Sequence, residues 1–133
     1  MSNATIQVGP VEKLASGKAL VRGTLGGSFG HDEINVLTAW VEGISGAVNQ
    51  AAHGPGSVTI LADLTGMERY SVPEVLSVVS EYMKKDRPLV YRIATFGGTR
   101  VIEMAEHIVS ILAGTTLMKN FPDEKAALAW LNS

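Results

Sequence analysis

The stretch that decides the fold is V58-T-I-L-A-D-L-T-G-M-E-R-Y-S-V-P-E74. Ser57 to Leu64 is a short, nearly continuous apolar run, as in a strand buried on both faces. Asp63 closes that run. The polar residues that follow read as a loop from Asp63 to Ser71, and the chain restarts as a helix at Ser71-Val72-Pro73-Glu74. That restart fits a capping box, with the Ser71 side chain accepting from the Glu74 N–H and the Glu74 carboxylate accepting from the Ser71 N–H. Pro73 removes a donor in a first turn whose donors lack intrahelical partners anyway.

Working outward, Leu89 to Phe96 is a second buried strand. The helix between the two turns Val72, Val75, Leu76, Val79, Tyr82 and Met83 inward. "KKD" closes it and Pro88 prevents its continuation. Upstream, Ile34, Leu37, Val41, Ile44 and Val48 recur at steps of three and four, with Glu33, Thr38, Glu42 and Asn49 on the other side. This is an amphipathic helix, ended by "HGPG" at His53 to Gly56. Gly43 and Gly46 weaken it by up to ~1 kcal/mol each relative to alanine, and mark either close packing or a local break. Val11 to Leu14 and Lys18 to Leu25 form an N-terminal hairpin about Ser16-Gly17, and Gly26 to Gly30 ("GGSFG") loosens the chain before the helix. Downstream, Val101, Ile102, Ala105, Ile108, Val109 and Leu112 make a helical stripe that Gly114 ends. Thr115 to Lys119 is a weak strand. Pro122 opens a last helix with Asp123 and Glu124 in its first turn, docked by Ala126, Ala127, Trp130 and Leu131.

The order is ββαβαβαβα. Strands alternating with helices imply parallel pairing through right-handed crossovers. The fold class is α/β: a mixed four- to five-stranded sheet with the hairpin as its antiparallel part and helices packed on it. The expected core includes Val58, Ile60, Leu61, Val90, Ile93, Ile102, Ala105, Val109 and Leu112. The 133 residues form one domain, 1–133, large enough to bury roughly two thirds of the unfolded surface.

Composition narrows the function classes. Thirteen acidic and eleven basic residues give a net charge of -2, which argues against nucleic acid as a partner. The absence of cysteine removes disulfides, thiol nucleophiles and thiolate metal sites and suits a reducing cytoplasm. No apolar run approaches the ~20 residues of a membrane span. The opening "MSNATIQ" has no secretion-signal pattern, so a cytoplasmic protein is expected. His31, His53 and His107 are dispersed without metal-ligand spacing. Glu103 and His107 share one helix face at i and i+4, which reads as a solvated pair.

Val58 to Tyr82 ("VTILADLTGMERYSVPEVLSVVSEY"), "RIATFGG" and the closing "FPDEKAALAWL" resemble the STAS-like proteins, and more closely their SpoIIAA-like branch, relatives of anti-sigma-factor antagonists. The resemblance runs from about Lys18 to Leu131. It implies a bacterial-type regulatory module with no cofactor and no known catalytic activity. Phospho-switch members follow "DLSG" with an Asp-Ser-Ser-Gly or Asp-Ser-Thr-Gly element at the next helix. This chain keeps Asp63-Leu64-Thr65-Gly66, but the tandem hydroxyls fall near Val72 and Pro73, which accept no phosphate. Ser71 stands one step early, and capping accounts for it.

Two further motifs bear on the site. Phe96-Gly97-Gly98-Thr99-Arg100 sets two glycines, a hydroxyl and an arginine between a strand and a helix. Such a loop can present N–H groups to an anion, although Thr99 as a cap and Arg100 as a solvated charge is the simpler and favoured reading. It lacks the P-loop spacing. If the two central strands are parallel, this loop and the Asp63–Ser71 loop emerge at one carboxyl edge, where ligands of open α/β sheets collect. The expected binding surface is therefore Asp63, Tyr70 and Ser71 on one side and Gly97, Gly98, Thr99 and Arg100 on the other. The expected partner is a protein or a small molecule, and a homodimer is compatible with this reading. The rival is a serine hydrolase: Gly26-Gly27-Ser28-Phe29-Gly30 matches G-x-S-x-G, with His31, Asp32, Asp63 and His107 as triad candidates. The chain is short for that class and shows no second oxyanion element. A third reading, a carrier of an apolar, lipid-like ligand, requires an internal pocket.

Overall fold

The computed structural model describes residues 3–70, 75–98 and 117–133, with the side chains of Tyr70 and of residues 75–77 excepted. The described elements are β1 (Thr5–Lys13), β2 (Ala19–Phe29), a 3-10 turn (His31–Glu33), α1 (Ile34–Ala51), β3 (Val58–Tyr70), α2 (Val75–Asp86), β4 (Val90–Phe96), β5 (Met118–Phe121) and α3 (Glu124–Leu131). The five strands form one sheet in the order β1-β2-β3-β4-β5. β1 is antiparallel to β2, and all later pairs are parallel. The sheet is mixed, with the hairpin as its antiparallel part, as the sequence implies.

The hairpin closes at Leu14, whose N–H donates to the Lys18 carbonyl at 2.8 Å, while the Gly17 N–H donates to the Leu14 carbonyl at 2.9 Å. Gly17 sits at φ +92°, where a Cβ is strained. Both strands outrun their expected limits. "GGSFG" is not loose chain: Gly26 to Phe29 continues β2, paired with Gly66 to Tyr70 of β3 through two register shifts. Glycine is required there because the chain start crosses close by. A Cβ on Gly26 would stand 2.7 Å from Thr5 Oγ1, and one on Gly27 would collide with the Asn3 carbonyl.

The sheet is covered on both faces. On one, α1 lays Leu37, Val41, Ile44 and Val48 against the strands. Leu25, Phe29, Ala62, Leu64 and Met67 form one cluster there, and Val21, Val58, Ile60, Val90 and Ile93 another, with Trp40 packing on both. Burying a side chain such as Phe29, which is wholly inaccessible, contributes roughly 1.5–3 kcal/mol. On the other face, α3 docks Ala127 and Leu131 on Leu14, Leu20, Leu61, Ala94 and Phe96. Ala126 and Trp130 are only half-buried. Asp123 is the N-cap of α3, not part of its first turn, and accepts from the Ala126 N–H at 2.8 Å. Of the expected core, Val58, Ile60, Leu61, Val90 and Ile93 are buried; Ile102, Ala105, Val109 and Leu112, with the helical stripe they define, lie outside the described residues.

Three local expectations gain detail in the structure. The weak strand expected over Thr115 to Lys119 is Met118–Phe121. α1 runs unbroken through Gly43 and Gly46. Gly43 is there because a Cβ would meet Val8 Cγ2 of β1 at 3.0 Å. In α2, Val79 and Met83 are half-buried and pack on the core, as expected, Tyr82 is half-buried, and Ser80 and Asp86 are buried as well. Asp86 bridges back to α1: Ser45 Oγ donates to Oδ2 at 2.6 Å and Asn49 Nδ2 donates to Oδ1 at 3.0 Å. A buried carboxylate is tolerated only when its lone pairs are so occupied. This polar staple ties the end of α2, which the sequence reads only as the close of a helix, to α1.

Candidate functional site

Because β2 to β5 are parallel, their carboxyl ends share one edge of the sheet, the edge at which open α/β sheets bind ligands. The strands do not end level there. The β3–β4 pairing stops at Asp63↔Phe96, while the β2–β3 pairing continues to Phe29↔Tyr70. The edge is therefore a step, with a β2–β3 ribbon projecting from it.

At the foot of the step, Asp63 Oδ1 accepts from the Thr65 N–H at 3.0 Å and from Thr65 Oγ1 at 2.6 Å. An aspartate closing on the residue two ahead is the usual local turn device of this side chain. Here it acts within a strand and fixes Thr65. Gly97 follows β4 at φ +76° and Gly98 at φ +87°. A Cβ on Gly97 would lie 2.6 Å from Thr65 Cγ2 and 2.8 Å from the Thr65 backbone nitrogen. Asn120 of β5 completes the join. Its Nδ2 donates to Thr95 Oγ1 at 2.9 Å and to the Gly97 carbonyl at 3.2 Å. The ends of β4 and β5 are thus fastened through a side chain as well as by the sheet ladder, and Gly97 packs closely on Thr65 of β3.

On the ribbon, Met67 packs into the core with Phe29 and Leu37. Thr65, Gly66, Glu68 and Arg69 are exposed. Glu68 Oε2 accepts from Ser28 Oγ at 3.5 Å and from Asn3 Nδ2 at 3.4 Å, while Asn3 Oδ1 accepts from the Ser28 N–H at 3.0 Å. The ribbon tip presents one carboxylate and one guanidinium on a framework pinned from the chain start.

The expected site residues are distributed unevenly over this edge. Asp63 and Gly97 meet at the foot of the step through Thr65, and Gly98 follows directly. Tyr70 does not share a loop with Asp63. The Asp63–Ser71 segment is strand as far as Tyr70, which sets Tyr70 about 20 Å along the ribbon at the usual rise per residue. Ser71, Thr99 and Arg100 lie outside the described residues. Thr65 was legible only as part of the Asp63–Gly66 motif, while Glu68, Arg69 and Asn120 gave no distinct signal. An alternation of Met67 inward with Glu68 and Arg69 outward, interrupted by bulges, does not show a clean period of two.

Ser28 also differs from expectation. It lies inside β2, so Gly26 to Gly30 is not the sharp strand-to-helix turn that lifts a nucleophile. Its hydroxyl faces Glu68, and Asp63 is engaged by Thr65. His31 lies in the 3-10 turn beyond the strand, and His107 falls outside the described residues. Among the described residues no group of three or more histidines and carboxylates has metal-binding geometry. No described helix is long and apolar enough to cross a membrane.

A mixed five-stranded sheet with an antiparallel N-terminal hairpin, parallel βαβ crossovers and a C-terminal helix on the opposite face is a STAS-like fold. The SpoIIAA-like family matches residues 20–132, and the chain belongs to that family. Among solved structures, an uncharacterised protein with a SpoIIAA-like fold from Shewanella loihica superposes with a TM-score of 0.66 at 19% identity, covering 98% of this chain and 97% of the other. The anti-sigma factor antagonist SpoIIAA in its unphosphorylated form gives 0.61 at 17% identity, covering 97% and 98%. An anti-sigma factor antagonist from Mycobacterium paratuberculosis gives 0.59 at 13% identity, covering 97% and 96%. No curated protein matches the sequence.

Proposed function

We propose that this chain is a non-catalytic regulatory module of the cytoplasm that binds a protein partner at the stepped carboxyl edge of its sheet. Asp63, Thr65, Gly97 and Gly98 form the foot of the surface, and Glu68 and Arg69 form the projecting ribbon. The observation that carries this reading is the ribbon itself. It places two oppositely charged, exposed side chains on backbone held by sheet pairing and by the Asn3 clamp. Preorganised polar groups of that kind set partner choice and orientation. The relatives named as anti-sigma factor antagonists support a regulatory partner of the same general kind. Val72 and Pro73 stand where the family's tandem hydroxyls fall, so the module operates without that phosphorylation switch.

Charge reversal tests the reading. In protein purified from its native cell, Glu68→Lys with Arg69→Glu is expected to reduce a stoichiometric co-purifying partner at least tenfold. Gln50→Lys, which puts a new charge on an exposed residue near the end of α1, is expected to leave it intact. Equal loss from Gln50→Lys, or no loss from the ribbon pair, would overturn the proposal. Retention of a small molecule instead of a protein would keep the edge and replace the partner class.

A further inference from the structure

We draw no further inference here: the strongest candidate, the apolar strip of Ile6, Val8 and Val11 along edge strand β1 beside Gly43 of α1, is an unpartnered sheet face, and nothing in the structure shows what covers it.

Discussion

The backbone of Thr65 lies so close to Gly97 that a Cβ on the glycine would stand 2.8 Å from the Thr65 nitrogen and 2.8 Å from its Cα. The course of β3 beyond its last β4 pair and the first residue after β4 are therefore one packing unit. Gly97 fills a steric need, in addition to any role in presenting its N–H.

Gly97→Ala tests that unit. The substitution combines a Cβ at φ +76° with an overlap against backbone, which cannot swing aside as a flexible side chain would. The strained conformation costs about 1 kcal/mol or more, and overpacking adds typically 1–3 kcal/mol. Urea unfolding should show a loss of at least ~1 kcal/mol. Gly46→Ala, in a helix with open space around the glycine, should be neutral or stabilising by up to ~1 kcal/mol. Equal effects from the two would contradict the packing described.

The Asp86–Ser45 staple predicts energetic coupling between α1 and α2. Ser45→Ala and Asp86→Ala should each destabilise, Asp86→Ala by the larger amount. It leaves the buried Ser45 hydroxyl without its acceptor, at roughly 1–3 kcal/mol, whereas the exposed Asn49 amide keeps the Ser45 carbonyl at 2.8 Å. A double-mutant cycle should give a coupling of ~0.5 kcal/mol or more. Additive effects would mean that the 2.6 Å contact contributes nothing.

Ser71 and Glu74 have the spacing of a capping box, and the prediction rests on the sequence alone. Ser71→Ala should cost ~0.5–2 kcal/mol. Ser71→Asp should retain most of the stability, because aspartate also caps and its charge suits a helix N-terminus. Stoichiometric phosphate on Ser71 in protein from the native cell, coupled to loss of a partner, would contradict the capping role.

Legibility in the sequence followed burial. Val58 to Ala62 was readable because β3 is flanked by β2 and β4 and covered on both faces there, so nearly every side chain is apolar. The same strand was misread from Thr65 onward. Past Asp63 it leaves β4 behind, one side faces solvent, and Thr65, Gly66, Glu68 and Arg69 look like loop residues. Gly26 and Gly27 misled for a related reason: glycine in a strand, needed for the close approach of the chain start, resembles glycine in a turn. The α1 stripe was legible from its period, whereas Asp86 was not. An acid after two lysines at a helix end reads only as the close of the helix, and only the distant Ser45 and Asn49 show that it is buried. Of the expected site, Asp63, Gly97 and Gly98 were placed at strand ends by the sequence, and the structure puts them at the carboxyl edge. The partners that fix them, Thr65 and Asn120, are matters of tertiary geometry.

The central claim is that partners meet the stepped edge, and site-specific photo-crosslinking in the native cell tests it most directly. A photoreactive amino acid at Arg69, on the ribbon, should give one discrete protein adduct of defined mass, and the adduct should disappear when Glu68→Lys is added. The same group at Gln50 should give none. Adducts of the same partner from Gln50, with none from Arg69, would place binding at the other end of the sheet and contradict the account.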